Sequence, residues 1–429
     1  MMSRLNLGRR FSTALPRIAD DIMSNPDFRP TQLCLRVSYL IFVGDLDTAA
    51  KYARMAVFTR FRSEITTKTF ESIIGGMLRD KRPDDAYDLF YFFFKEHKLL
   101  PSSHSWNYIL ESYLEQGVVD DALELYQRPF KSGEIHDYPS TDTFRVMTKG
   151  LVHSGRLDRA EAVLRDRNVD RIIYPDHVAY NNLIRGFLDL GNFKKAHLVL
   201  GEFKRLFLIA LSETEDDLHH SNYENRVAFV MATFMEYWFK RGKQVEAMEC
   251  YNLSVIANRL LVCAETGNAL LVVLLKYGQK KHAWALYHEL LDKNGTDGDT
   301  TKIMVDECFD MGRLGEAMET YKKAIAKNYY FSDRYYITKC CEDEEDGAVS
   351  FCFTVSNDGY IITRCCENGM LSEAESIFVD SLADDFGYID VYTFKTMVDA
   401  YVKAGRIHDA IKTSNKMIDA TLKEVSHLF

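Results

Sequence analysis

The sequence predicts an all-α protein, a solenoid of about ten two-helix repeats. Three observations carry that reading. A glycine followed five residues later by an alanine recurs along the whole chain. The interval between successive copies centres on 36 residues. The residues ahead of each glycine place their apolar side chains at helical spacing, so a helix precedes each turn.

The pairs are Gly44 with Ala49, Gly117 with Ala122, Gly155 with Ala160, Gly191 with Ala196, Gly242 with Ala247, Gly278 with Ala283, Gly312 with Ala317, Gly369 with Ala374 and Gly405 with Ala410. Lys81 with Ala86 fills the one place that lacks glycine. Successive alanines are 37, 36, 38, 36, 51, 36, 34, 57 and 36 residues apart. A period in this range is the mark of stacked supersecondary units, none of which buries its apolar faces alone. The copies around Ala122, Ala160, Ala196 and Ala410 are the clearest, and those from the sixth to the ninth are degenerate.

One unit can be built from the fifth copy. Tyr180, Leu183, Ile184, Phe187 and Leu188 recur at i, i+3, i+4, i+7 and i+8, which is one face of a helix. Gly191 stops that helix, because a residue without Cβ enters the left-handed region freely. A second helix starts near Lys194, and Ala196 offers a small side chain where two helices cross closely. In the first four copies an aspartate stands two residues before the alanine: Asp47, Asp84, Asp120 and Asp158. A carboxylate there suits the positive end of the second helix. Repeats are expected to start near residues 30, 67, 103, 141, 177, 228, 264, 298, 355 and 391, so the array occupies 30–425, after a flank of 1–29 and before a tail of 426–429. The two long intervals place insertions near 211–227 and 328–354, read as acidic loops that are either solvated or dock a basic protein partner.

Composition limits function. The chain has 429 residues, 47% hydrophobic and 27% charged, with a net charge of -10 and an isoelectric point near 5.7. That is globular chemistry with weak long-range attraction for phosphate. No apolar run spans a bilayer, and nine cysteines without a CxxC pair argue against a secreted disulfide framework. Residues 1–19 contain Arg4, Arg9, Arg10 and Arg17 with no acid before Asp20, a mitochondrial presequence composition, and Arg9-Arg10-Phe11-Ser12 is a candidate processing site. The expected location is the mitochondrial matrix.

The text of the repeats resembles the pentatricopeptide repeat. Trp106-Asn107-Tyr108-Ile109-Leu110 through Gly117, Ala122 and Tyr126 is similar to that consensus, as are Tyr180 to Ile184 and Tyr392 to Val398 with Gly405 and Ala410. The related tetratricopeptide repeat wants a small residue four places after its aromatic, where these copies hold Leu110, Ile184 and Val398. The resemblance covers about nine tenths of the chain. It implies a right-handed superhelical α-solenoid, the repeat-only class of a large, mostly plant organellar family, and RNA as a partner.

In that family one repeat reads one base through two or three side chains. The resemblance places first readers at Cys34, Glu71, Asn107, Arg145, Asn181, Ala232, Asn268, Lys302, Gly359 and Lys395. Only Asn107 with Ser140 and Asn268 with Asp297 form suitable pairs, while Asn181 loses its partner to an insertion. Two readable bases do not specify a site at ~1–3 kcal/mol per good contact. The positions the family often turns toward phosphate hold Arg79, Lys240, Lys276 and Lys403, but also Glu115, Asp189, Asp310 and Glu367.

No nucleophile motif, P-loop or dinucleotide fingerprint is present, so catalysis is not expected, nor a cofactor, a small-molecule substrate or membrane contact. His219 and His220, or Cys340, Cys341, Cys352, Cys365 and Cys366, lack the spacing of a zinc site, so no metal is expected. Three functions stay open: a structural component of the mitochondrial ribosome contacting rRNA and proteins with little base readout, a factor for processing, stability or translation of a mitochondrial transcript, and a protein-only scaffold.

Overall fold

The computed structural model describes residues 29–42, 44–59, 64–132, 140–165, 175–212, 218–256, 262–327, 357–383 and 391–426, and among these it contains helices and turns but no strand. The helices fall into two compact units, the larger running from Leu100 to Thr421. The smaller unit holds α1 (Pro30–Phe42), α2 (Leu46–Ala56), α3 (Glu64–Arg79) and α4 (Pro83–Tyr91), the last continuing as a π turn through Glu96. Its core is aromatic, with Phe70 stacked on Phe93 at 4.1 Å.

The larger unit repeats one plan. First helices are α5 (Ser103–Glu115), α7 (Thr141–His153), α9 (His177–Asp189), α11 (Leu218–Lys240), α13 (Ala264–Lys276), α15 (Gly298–Asp310), α17 (Asn357–Glu367) and α19 (Val391–Lys403). Each is followed by its second helix: α6 (Val119–Ser132), α8 (Leu157–Arg165), α10 (Phe193–Ser212), α12 (Gln244–Tyr251), α14 (Lys280–Asp292), α16 (Leu314–Lys327), α18 (Leu371–Ala383) and α20 (Ile407–Ser426). Consecutive first helices from α5 to α15 pack on one another, as do α17 and α19. Around the last copies, Val305, Phe309, Tyr321, Ile361, Ile362 and Phe394 share one core.

The turn within each repeat follows from glycine. All nine signature glycines have φ between 68° and 82°, and Lys81 adopts 58° in the tenth place. Around Gly191 its own N–H donates to the Leu188 carbonyl at 2.8 Å, and the Asn192 N–H reaches back to Phe187 at 2.8 Å. Those two bonds satisfy carbonyls that the end of α9 leaves open. The Ala196 N–H then donates to the Asn192 carbonyl, so the next helix begins within four residues. The fourth copy does the same: Gly155 donates to the Val152 carbonyl at 3.0 Å, and Ala160 donates to the Arg156 carbonyl at 3.0 Å.

The signature alanines lie at the helix crossings. Ala49, Ala86, Ala122, Ala160, Ala196, Ala247, Ala283, Ala317 and Ala374 have no exposed surface, and Ala410 is 4% exposed. Ala160 is buried on α8, as are Leu157 and Val163 of the same helix. The approach is closer still at Gly186, where an added Cβ would stand 2.7 Å from Leu157 and 2.8 Å from Val152.

The aspartates ahead of the alanines occupy the first turns of α2, α4, α6 and α8. Two also tie repeat to repeat, through Arg82 to Asp47 at 2.6 Å and Arg156 to Asp120 at 2.8 Å. Both carboxylates are well exposed, and surface pairs of this kind contribute at most ~1 kcal/mol.

One boundary differs from the sequence reading. The insertion near 211–227 does not form an acidic loop throughout: α10 runs 20 residues to Ser212, and α11 runs 23 residues from Leu218, ten before the repeat start expected near 228. Residues 218–227 contain neither proline nor glycine, which lets them join the helix, while 213–217 lie outside the described residues. The insertion near 328–354, the presequence within 1–28 and the residues Cys340, Cys341 and Cys352 lie outside the described residues.

Gly117 has φ of 75° and open space around it, so Gly117→Ala adds only left-handed strain and is expected to destabilise by about 1–2 kcal/mol. Ala122→Leu at a fully buried crossing is expected to cost more, about 1–3 kcal/mol from overpacking. Urea midpoints of the two variants test the order; equal midpoints would mean that the turn and the crossing do not divide the work in this way.

Candidate functional site

The positions expected to read bases at Asn107, Arg145 and Asn268 fall where one first helix meets the start of the next. Ser140, Asp176 and Asp297 are the N-caps of α7, α9 and α15, each side chain accepting from a backbone N–H three residues on. The first reader of the preceding repeat packs onto that cap. Asn107 on α5 donates from Nδ2 to Ser140 Oγ at 3.3 Å, and its Oδ1 accepts from Thr143 Oγ1 at 2.8 Å. Asn268 on α13 repeats the arrangement, donating to Asp297 at 3.0 Å and accepting from Thr300 Oγ1 at 2.6 Å. Arg145 on α7 takes the same place with a two-pronged contact to Asp176 at 3.0 and 2.7 Å.

These bonds engage both ends of each amide within the protein. Asn107 is 7% exposed, so a base edge would have to displace Ser140 and Thr143 to reach it. The cost of leaving those groups unpaired sets a threshold that a single base contact does not clear easily.

Asn181 is the exception. The α11 helix begins at Leu218, the residues just ahead of it lie outside the described ones, and among the described residues no cap is bonded to Asn181. It is 8% exposed, and its Oδ1 is buried without a hydrogen-bond partner. One turn earlier on α9, His177 is 5% exposed and its Nδ1 is likewise unpartnered. Its Nε2 lies 3.1 Å from Glu265 Oε1 on α13, so the contact passes over α11, whose Phe229 meets the imidazole edge-on at 4.9 Å.

The candidate phosphate contacts are divided. Lys276 binds Glu236 at 2.7 Å, and Lys240 lies 3.5 Å from Asp189 and 3.8 Å from Glu236. Arg185 adds a third cation to Glu236 at 2.8 Å. Burial works against the Glu236 charge, but hydrogen bonds from Lys276 and Arg185 outweigh it and hold the carboxyl below the ordinary glutamate range. Arg79 and Lys403 are exposed at the ends of α3 and α19. Glu236 gave no signal in the sequence, since it lies between the positions that the repeat pattern marks.

Among the described residues no group of histidine, cysteine and acid side chains could hold a metal ion, and no helix is long and apolar enough to cross a membrane. Burial pushes the Cys365 thiol up to about 12 and Cys366 up to about 11, away from the thiolate that metal ligation needs.

Comparison with known proteins agrees with the repeat geometry. The PPR repeat pattern matches residues 178–206, 360–384 and 392–420, which are α9–α10, α17–α18 and α19–α20. Over 435 aligned positions the chain is 74% identical to the Arabidopsis thaliana pentatricopeptide repeat-containing protein At3g60980, mitochondrial, covering 100% of both. The chain belongs to the pentatricopeptide repeat family. A second Arabidopsis thaliana member, At1g10270, is 38% identical over 153 residues, 34% of this chain and 14% of that one. The crystal structure of the maize pentatricopeptide repeat protein PPR10 with an 18-nucleotide psaJ RNA element is 17% identical, covers 92% of this chain and 64% of that one, and superposes with a TM-score of 0.36. The destination is mitochondrial, the one that the arginine-rich residues 1–19 predict.

Two outcomes are expected of this site. Asn268→Ala removes a donor from Asp297 and an acceptor from Thr300, and should lower stability by about 1–2 kcal/mol in urea denaturation. A pure surface reader would lose nothing. Glu236 has a lowered carboxyl pKa, so its stabilisation is fully present above about 4.3, the unfolded glutamate value, and is lost as pH falls through the lower folded value. Glu236→Gln should therefore flatten the loss of stability between pH 5 and pH 3, roughly the window around that value; parallel profiles for the two proteins would contradict the assignment.

Proposed function

We propose that this chain is a non-catalytic scaffold of mitochondrial RNA metabolism that grips folded RNA and neighbouring proteins by shape, as a structural or associated component of the mitochondrial ribosome. The observation that carries the reading is the use of the base-reading atoms: Asn107, Arg145 and Asn268 spend their polar groups on the helix caps of the next repeat. A base code run through groups already bonded to the scaffold has to compete with those bonds, whereas contact by shape does not need them.

Charge supports the same reading. The eight first helices of the larger unit carry fourteen carboxylates against ten lysines and arginines. Specific grip on a single strand draws on a continuous positive track along the backbone. An array with this balance suits scattered contacts to a folded RNA and to basic proteins. RNA enters through membership of a family concerned with organellar RNA, and the mitochondrial destination places it in that organelle.

Sedimentation of a mitochondrial lysate through a sucrose gradient, with and without magnesium chelation, tests the proposal. Co-migration with one ribosomal subunit that survives high salt is the expected result. Migration as a small RNase-sensitive particle would overturn it in favour of a transcript factor, and migration as an RNase-resistant protein complex would leave a protein-only scaffold.

A further inference from the structure

The turns of the fifth, sixth and seventh repeats (189–195, 240–246 and 276–282) lie side by side along one edge of the larger unit, because α9 packs on α11 and α11 on α13. Aromatic rings fasten them together. Phe193 meets Trp238 at 4.9 Å and stacks on Tyr237 at 5.6 Å, and Phe239 stacks on Tyr277 at 4.9 Å. The three turns hold eight lysines and arginines against two carboxylates, in a chain of net charge -10. The same window around Gly117 holds three carboxylates and no cation, and around Gly312 two carboxylates and one cation. The positive excess is concentrated in these three consecutive repeats.

Five of the eight cations are spent on carboxylates, from Lys195 on Glu161 at 2.7 Å to Lys280 on Glu307 at 2.6 Å. Lys194, Arg241 and Lys281 remain, one in each repeat. All three are exposed, and among the described residues none has a carboxylate at ion-pair distance. Arg241 lies 4.5 Å over the Tyr237 ring, and a Cβ added at Gly191 would stand 3.3 Å from its guanidinium, so a cation of the sixth repeat reaches the turn of the fifth. Packed helices stand about 8–10 Å apart, which distributes the three cations over roughly 20 Å of edge.

We propose that this edge binds the phosphate backbone of double-stranded RNA, at the far end of the first helices from Asn181 and Asn268. Cations without carboxylate partners attract a regular row of phosphates and release its counterions. The rings favour a duplex over a single strand. A single strand is held by stacking its bases on open aromatic faces. Here neighbouring rings and cations lie on those faces: Phe193 and Tyr237 on each other, Arg241 over Tyr237, Lys243 over Trp238 at 4.9 Å, and Phe239 on Tyr277. Duplex RNA is recognised instead by shape and backbone contacts. An acidic protein fits less well, because the edge is rich in lysine, which protein interfaces avoid. Its exposed apolar side chains are Leu190 and Val245, one in each of two repeats, and single ones are ordinary on a surface. The proposal rests on RNA as the partner named above and states where a folded RNA is gripped. It does not need the ribosome, since a chain that fails to sediment with a ribosomal subunit can still bind a duplex.

The test is fluorescence anisotropy of the full chain with a labelled RNA duplex of about 16 base pairs, with one of its strands alone, and with polyglutamate as competitor, over a range of salt. The duplex should bind tighter than the strand. Replacing Lys194, Arg241 and Lys281 together by glutamine should weaken duplex binding about tenfold at physiological salt and lower the salt slope by about two to three. The three side chains are exposed, so the variant should keep the urea midpoint of the parent. Lys403→Gln, outside this edge, should leave duplex binding unchanged. Three results would overturn the proposal. Duplex binding that survives the triple replacement would place the contact elsewhere. A single strand held as tightly through the same three residues would make the edge a strand track. Polyglutamate that displaces the duplex at equal charge concentration would make it a docking edge for acidic protein.

Discussion

A pair of short helices joined by a tight turn has apolar side chains on two sides and can cover only one of them by itself. Everything else in this protein depends on covering the second. From α5 to α15, and again from α17 to α19, each first helix packs on the one before it, and each repeat supplies a wall that its neighbour lacks. Close stacking at this spacing tolerates only small side chains at the crossings. Hence the alanines are buried at every copy, from Ala49 through Ala160 to Ala410, and Gly186 stands where even a methyl group would collide with Leu157 and Val152. The left-handed glycine is the companion constraint. It reverses the chain in so few residues that both helices of a pair stay in register with the next.

Stacking also decides what the polar residues can do. Bringing first helices together places the N-cap of one beside a side chain in the second turn of the helix before it. A short amide there binds a cap oxygen and a threonine hydroxyl, and the Arg145 guanidinium binds the cap carboxylate with two prongs. At Asn107, Arg145 and Asn268, the positions expected to read RNA are part of the seam that holds repeats together. The cations one face along are drawn into pairs with Glu236 in the same way. Across the eight first helices of the larger unit carboxylates outnumber lysines and arginines, fourteen to ten.

Much of this was legible in the sequence, for a physical reason. Gly191 and Ala196 are dictated by backbone conformation and by helix proximity, two constraints that act within one repeat and recur unchanged, so the pattern repeats in the text. Asp47, Asp84, Asp120 and Asp158 were legible likewise, because a helix dipole is local. The start of α11 was not. Its additional residues lack proline and glycine and are simply polar, and polarity alone does not distinguish a loop from two lengthened helices. The fate of the asparagines was hidden too. Asn107, Asn181 and Asn268 occupy equivalent places, and what separates them is whether, among the described residues, a helix cap of the next repeat is bonded to them. The His177–Glu265 contact joins residues 88 apart across an intervening helix, and no local pattern encodes it.

The central claim is that these seams spend the base-reading atoms on stability. Selection of the purified full chain against a randomised RNA library, with enrichment read by sequencing, tests it most directly. The account predicts bound RNA enriched for folded structure but flat in base preference at every position. A defined single-stranded motif would contradict it, decisively so if the preferred base at one position changed when Asn107 or Asn268 was replaced.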